Sequence, residues 1–192
     1  MELDHLVVGA ATLEEGVAWC ERVLGVTPQP GGKHALMGTH NRLVNISGPN
    51  HARCYLEIVA IDPDAPPPAR PRWFDLDQPV LRERLAGGPG LIHWVARVPS
   101  LDAALAYWRS EGVDVGEAVG ASRGDLRWRI ALRKDGRRLR REALPVLIEW
   151  GGAHPTDTLP EQGVQLLGFE ARGGLSARLA TPRGEVQLEV IG

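Results

Sequence analysis

The sequence of 192 residues has few cysteines, an aromatic content of 5% and no long apolar run. Cys20 and Cys54 are too few for a disulfide framework and lack the spacing of a metal finger, which favours a reducing compartment. The start MELDHL lacks the basic residues and apolar run of a signal peptide. No window approaches the roughly 20 apolar residues of a membrane span. We therefore expect a cytoplasmic protein without a membrane partner.

The sequence also lacks an excess of charge of one sign, because its 22 basic and 24 acidic residues leave a net charge of −2. This balance gives no general reason to expect nucleic acid as a partner. Apolar residues make up 43% of the chain and charged residues 24%, which is typical of a packed globular core. A small molecule is the partner that remains to be considered.

The most informative feature that is present is an internal repeat with an offset of 88 residues, which places His5 on His93. In each copy an apolar strand with a central histidine leads through a short turn to an amphipathic helix. Thr12 and Ser100 stand at the matching positions and are good N-cap residues. The repeat predicts two units of the same fold.

Each copy continues with strand-like sequence, so each unit is predicted to be βαβββ. The predicted fold is α+β. The two units are expected to form one curved eight-stranded sheet, mixed but mostly antiparallel, around a cavity. Helices at 12–24 and 100–111 are expected on the outer face of the sheet. Predicted strands after the helices are 30–38 (poor), 42–47 and 53–62, then 113–119, 126–134 and 144–150. The expected division is module 1–62, a proline-rich surface linker 63–89 with a short helix at 79–86, module 90–150, and a small β extension 151–192 packed on the same domain.

Two glutamates lie on the last strand of their units, Glu57 in YLEIVA and Glu149 in LIEW. Because side chains alternate across a strand, the apolar neighbours of Glu57 can face the helices while Glu57 faces the hollow. The same parity predicts that Ile148 and Trp150 face the helices and that Glu149 points inward. The two aligned histidines are predicted to face the same hollow.

A carboxylate buried in an apolar sheet costs several kcal/mol unless it is paired or ligated. Imidazole and carboxylate donors together suit a divalent Zn, Ni, Co, Mn or Fe ion, and an octahedral ion would keep positions open for substrate. The sequence therefore predicts a metal site made of His5, Glu57, His93 and Glu149. The other interpretation, ordinary core histidines, stays open at this point.

The paired motifs DHL, YLEIVA, GLIHW and LIEW resemble the vicinal oxygen chelate superfamily, and GTHNRL (38–43) and LPVLIEWGGAHP (144–155) resemble its glyoxalase-like domain branch. The likeness covers residues 2–155. It implies metal ligands at the four strand positions named above. Activities of the superfamily include glyoxalase, epimerase, extradiol ring cleavage, fosfomycin modification and metal-free drug sequestration. The long 62–89 connection and the 151–192 tail depart from compact glyoxalase I and leave the substrate open.

Candidate substrate-binding residues flank these motifs. His40 and Asn41 either line the cavity or shape a loop. Arg127 and Arg129 share one strand face, so they either bind an anionic substrate in the cavity or are surface charges. The basic run 133–142 is predicted to be a solvated hairpin tip, or else a dock for an anionic group. The histidines expected to be solvated are His34, His51 and His154.

The predicted function is that of a metal-dependent lyase or isomerase. It would stabilise an enediolate on a small molecule with adjacent oxygens, with Glu57 and Glu149 as catalytic proton carriers. One alternative is a metal-free binding protein that sequesters its ligand. An extradiol-type dioxygenase is less favoured, because such sites use two histidines and one carboxylate with iron. The expected assembly is a monomer or a homodimer.

Overall fold

The computed structural model describes residues 1–139, 144–172 and 174–191, so part of the basic run 133–142 lies outside the described residues. The first unit contains β1 (Glu2–Gly9), α1 (Leu13–Val23), β2 (Gln29–His34), β3 (Thr39–Asn45) and β4 (Tyr55–Ile61). After α2 (Pro79–Ala86), the second unit contains β5 (Gly90–Arg97), α3 (Leu101–Ser110), β6 (Glu117–Arg123), β7 (Leu126–Leu132) and β8 (Val146–Trp150). A 3₁₀ turn (Pro155–Asp157), β9 (Gln165–Glu170), β10 (Ser176–Thr181) and β11 (Gly184–Glu189) follow.

The two units form one curved eight-stranded sheet in the order β2-β3-β4-β1-β5-β8-β7-β6. β1 and β5 are antiparallel neighbours at its centre. Each of them pairs in parallel with the last strand of its own unit, β1 with β4 and β5 with β8. The predicted fold class, a half-barrel built from paired βαβββ units, is therefore confirmed.

The helices begin where the capping residues predict. Oγ1 of Thr12 accepts a hydrogen bond from the Glu15 amide at 3.2 Å, and Oγ of Ser100 accepts one from the Ala103 amide at 3.3 Å. The strand predicted at 113–119 begins later, at Glu117. The reason is a turn at Gly116, which has a φ of +101° and donates its amide to Oδ1 of Asp114 at 2.9 Å.

The core has two parts, one on each face of the sheet. The part on the convex face packs the sheet against α1, α3 and the small sheet β11-β10-β9, with Leu6, Leu56 and Trp94 at its centre. The small sheet contributes Leu179, which is fully buried. The second part fills the hollow of the half-barrel.

Residues 63–78, which we call the strap, contain no helix or strand. Residues 63–72 are exposed or half-buried, as expected of a surface linker, whereas Trp73, Phe74 and Leu76 are buried in the hollow. The prediction of a surface linker was therefore wrong for 73–76. Phe74 and Asp75 both have positive φ angles, 56° and 63°. Asp75 accepts hydrogen bonds from Nε and the amide of Arg138 at 2.9 and 3.0 Å, which ties the strap to the β7–β8 connection. Proline content predicted the irregular backbone but not the burial of two aromatic rings.

Candidate functional site

The site begins at two consecutive residues of β1. Asp4 is fully buried, and its Oδ1 lies 2.7 Å from Nδ1 of His5. Its Oδ2 accepts from Nε1 of Trp150 at 3.0 Å, Nε2 of His154 at 3.1 Å and Nη1 of Arg97 at 3.3 Å. Burial raises the pKa of Asp4, but the hydrogen bonds from His154 and His5 outweigh burial and hold that pKa well below its usual range.

An ionised Asp4 can only accept hydrogen bonds, so Nδ1 of His5 carries the proton of the neutral ring. In that tautomer Nε2 of His5 is the acceptor nitrogen, and it lies 3.6 Å from Oε2 of Glu57. The ring is held in place by a stacking contact with Tyr55, with 4.5 Å between ring centroids. Asp4 therefore fixes both the tautomer and the orientation of His5.

Glu57 lies on β4 with its side chain in the hollow, as predicted. Nδ2 of Asn41 donates to Oε1 of Glu57 at 2.6 Å, across the β3–β4 pair. Of the two alternatives open for Asn41, the structure has its side chain lining the cavity, with Oδ1 accepting from the Gly32 amide at 2.8 Å. A neutral amide orients the carboxylate without neutralising its charge, which leaves Glu57 able to accept a proton.

His34 completes this group, although the sequence suggested a solvated residue. Its Nε2 lies 3.3 Å from Nδ2 of Asn41 and 3.9 Å from Oε1 of Glu57, and its Nδ1 lies 3.0 Å from Oγ1 of Thr39. Burial lowers the pKa of His34 to about 4, against the opposing effect of Glu57. The ring is therefore neutral near pH 7, with an edge-to-face contact to Trp73.

The free space around His5 and Glu57 is about 30 Å³, which is room for one or two water molecules. Its walls are largely aromatic. They come from β4, the strap, β7 and β8 through Tyr55, Trp73, Phe74, Trp128 and Trp150. A molecule larger than this space can therefore reach Glu57 only if some of these walls move apart.

His93 faces the hollow but lies in a second small pocket with Met37, Trp73 and Phe74. Trp73 and Phe74 line both pockets and divide them. Within the described residues, Nε2 of His93 is buried without a hydrogen-bond partner. Burial, and then the charge of Arg138, lower the pKa of His93 to about 3. The two repeat-related histidines therefore stand in different surroundings.

Glu149 is not in the hollow, so the predicted parity of β8 was wrong. Its Oε2 accepts a hydrogen bond from the Leu101 amide at 2.6 Å, in the first turn of α3 on the convex face. Ile148 and Trp150 line the hollow instead. The free amides at a helix N-terminus attract a carboxylate, which accounts for this placement.

Arg127 and Arg129 also lie outside the hollow. Of the two alternatives for these arginines, substrate binding or surface charge, the structure favours surface charge. Arg129 forms a bidentate pair with Asp102 of α3 at 2.6 and 3.0 Å. Arg127 is exposed and donates to the backbone carbonyls of Gly124 and Leu126. His40 and Asn41 are consecutive on β3, so their side chains lie on opposite faces of the sheet. His40 lines a separate cleft of about 600 Å³ between the first turn of α1 and α2.

The predicted metal site does not fit the residues that the structure brings together. Glu149 binds the helix on the other face, and His93 lines a different pocket from His5. No group of three or more His, Cys, Asp or Glu side chains in the described ranges has the arrangement of a metal site. His5 and Glu57 are the pair of predicted ligands that meet.

Three residues of the site were missed in the sequence. Asp4 is next to the singled-out His5, so the DH pair was an available signal. His154 is buried in a capping box with Asp157 and reaches Asp4 from beyond β8. No local pattern predicted that His154 or His34 would be buried, because both depend on contacts between distant segments.

The half-barrel of paired βαβββ units, with the candidate site in its hollow, has the vicinal oxygen chelate fold. A family model described as a glyoxalase-like domain matches residues 3–181, so the chain belongs to the glyoxalase-like domain family. This confirms the resemblance seen in the sequence motifs. No curated protein matches the chain.

Solved structures share the fold at low sequence identity. A hypothetical protein from Staphylococcus aureus has 13% identity and a TM-score of 0.59, covering 99% of this chain and 86% of that one. A Streptomyces coelicolor methylmalonyl-CoA epimerase in complex with 2-nitronate-propionyl-CoA has 17% identity and a TM-score of 0.50, covering 80% and 97%. Among the described residues, no helix has the length and apolar character needed to cross a membrane.

Proposed function

We propose that this protein is an enzyme of the isomerase or lyase type. It moves a proton on a small molecule with oxygens on adjacent carbons. The observation that supports this is the buried carboxylate of Glu57, oriented by Asn41 at 2.6 Å and facing Nε2 of His5 at 3.6 Å. A base buried in an aromatic pocket and held by a neutral amide is suited to abstracting a proton next to a carbonyl.

In the proposed reaction Glu57 takes the proton from the carbon beside the carbonyl. The electron pair of the broken C–H bond moves onto the carbonyl oxygen and gives an enolate, which is an enediolate where the deprotonated carbon carries a hydroxyl group. Glu57 then returns the proton to the same carbon or to its neighbour. His5 is placed to hold the proton in between at Nε2, because Asp4 stabilises the imidazolium through Nδ1 at 2.7 Å.

The proposed proton transfer uses no metal ion, because the four predicted donors do not converge. The metal dependence predicted from the sequence is tested together with activity. Proton exchange that persists after dialysis against a chelator supports the proton-transfer mechanism proposed here. Activity that disappears with the metal and returns on adding it would contradict that mechanism.

The test follows deuterium incorporation from D₂O by NMR into pyruvate, hydroxyacetone, dihydroxyacetone and methylmalonyl-CoA, the compound in the name of the epimerase above. We expect exchange in at least one compound, lowered by about 10²–10⁴-fold in Glu57→Gln. The matched control is Glu149→Gln, which changes a glutamate on the other face of the sheet. Equal activity in the two variants would contradict the role of Glu57.

Sequestration of a ligand without chemistry is the second candidate. It is favoured by the aromatic walls of the pocket, which suit a flat small molecule. This candidate predicts saturable binding of a small molecule with no deuterium exchange in any bound compound.

A further inference from the structure

We propose that Arg123 is the anion-binding residue of this site and that the substrate is a small carboxylate with an oxygen on the adjacent carbon. This inference deepens the proposed function and rests on it for the location of the chemistry. Arg123 is the last residue of β6, an edge strand of the sheet, and it lines the pocket of His5 and Glu57.

The guanidinium of Arg123 has unused donors. Its recorded polar contact among the described residues is from Nη1 to Oδ1 of Asn41 at 3.3 Å. A guanidinium has about five N–H donors, so most of its binding capacity remains. Arg97 and Arg129, by contrast, form ion pairs with carboxylates at 2.7 and 2.6 Å.

Asn41 joins this cation to the proposed base. Its Oδ1 accepts from Arg123, and its Nδ2 donates to Oε1 of Glu57 at 2.6 Å. A carboxylate bound by Arg123 would therefore lie beside Glu57. Binding of a carboxylate by a guanidinium fork is bidentate and directional, which fixes the orientation of the bound molecule.

The backbone of β2 makes room for this arginine. A Cβ atom placed on Gly32 would lie 2.3 Å from Cδ of Arg123, so the side chain crosses the strand where no side chain stands. The two edge strands of the sheet, β2 and β6, thus approach each other through Arg123 and Gly32. The charge of Arg123 also helps to lower the pKa of His34, which keeps the His34 ring neutral.

Compact probes suit the test, because the free space at the site is about 30 Å³ and a larger ligand needs a larger displacement of its walls. Pyruvate and pyruvamide are matched probes, because they share their shape and adjacent oxygens and differ in charge. We expect the wild-type protein to bind pyruvate about tenfold or more tightly than pyruvamide in NMR titrations. Equal affinities would overturn the proposal.

The variants separate the charge of Arg123 from its position. Arg123→Gln should abolish the preference for pyruvate, whereas Arg123→Lys should retain part of it. Gly32→Ala should reduce the preference by displacing the side chain without removing the charge. Arg127→Gln and Gly120→Ala are the controls, and circular dichroism checks that each variant is folded. A preference that survives Arg123→Gln overturns the proposal, whatever the other variants do.

The same samples distinguish failure of this inference from failure of the proposed function. A charge preference that depends on Arg123, without deuterium exchange in pyruvate or any other compound, would support the anion site and contradict the enzyme. Deuterium exchange that depends on Glu57, without any preference for the anion, would support the enzyme and contradict the anion site.

Discussion

Oδ1 of Asp4 lies 2.7 Å from Nδ1 of His5, and both residues are buried on the central strand of the sheet. Asp4→Asn replaces an acceptor of four side-chain donors with a neutral amide. We expect the free energy of unfolding to fall by about 3 kcal/mol, because four donors lose a buried, charged acceptor. Deuterium exchange should fall as well, because the tautomer of His5 is no longer fixed.

The control for this variant is Asp64→Asn. The Asp64 side chain is 83% exposed and lies 3.8 Å from Nζ of Lys33. Its replacement should cost less than about 1 kcal/mol in urea unfolding. Equal losses in the two variants would show that the Asp4 network contributes no more than a surface pair.

The two buried histidines predict a dependence of stability on pH. The pKa of His34 is lowered to about 4 and that of His93 to about 3, both from 6.5 and mainly by burial. As pH falls below about 6.5, the unfolded chain takes up protons that the folded chain does not, so stability falls. Each of these histidines should contribute up to about 1.4 kcal/mol per pH unit.

His93→Leu tests this sign directly, because leucine suits the apolar pocket with Met37 and Phe74. Urea unfolding at about pH 6.5, 5.5 and 4.5 should show a shallower loss of stability in the variant than in the wild type. The ionised Asp4 contributes in the same direction, but at lower pH, because its stabilisation is lost only as pH falls through its lowered folded pKa. Identical slopes in variant and wild type would contradict the neutral, buried state of His93.

Trp73 and Phe74 of the strap line the site. Trp73→Ala should cost about 3–5 kcal/mol, because it leaves a cavity in a packed hollow. It should also expose the His34 ring, which Trp73 covers with ring centroids 4.9 Å apart. Diethyl pyrocarbonate should then modify His34 faster, as measured by peptide mass spectrometry. Leu76→Ala is the control within the strap, and acceleration of the same size there would point to general loosening instead.

The sequence predicted the parts of the fold that local patterns specify. Thr12 and Ser100 located both helix starts, and the repeat offset located the two central strands. Alternation placed Glu57 correctly, because its neighbours on β4 face the convex core. For these elements the local signal and the tertiary structure agree.

Alternation could not place Glu149, because β8 has apolar side chains on both of its faces. Leu147 packs in the convex core and Ile148 in the hollow, so the pattern around Glu149 is the same for either orientation. What decides the orientation is the amide of Leu101, 48 residues away in sequence. The burial of His34 depends in the same way on Trp73 of the strap.

Close approach of the backbone to Asn41 gives a further prediction. A Cβ on Gly31 would lie 1.9 Å from Oδ1 of Asn41, so Gly31→Ala must displace the amide that orients Glu57. We expect a loss of about 1–3 kcal/mol in stability from overpacking, together with loss of deuterium exchange. Gly120→Ala is the matched control, since a Cβ there meets nothing within 4 Å. Full activity of Gly31→Ala would contradict the role of Asn41.

Glu149→Ala distinguishes the metal site predicted from the sequence from the helix contact found in the structure. As a metal ligand or proton carrier, Glu149 would be required for activity, and its loss would lower exchange as strongly as Glu57→Gln. As the acceptor of the Leu101 amide at 2.6 Å, it caps the first turn of α3. We therefore expect a loss of about 1 kcal/mol in urea unfolding with deuterium exchange and bound-metal content unchanged. Loss of exchange with unchanged stability would return Glu149 to the active site and contradict the placement of its carboxylate on the convex face.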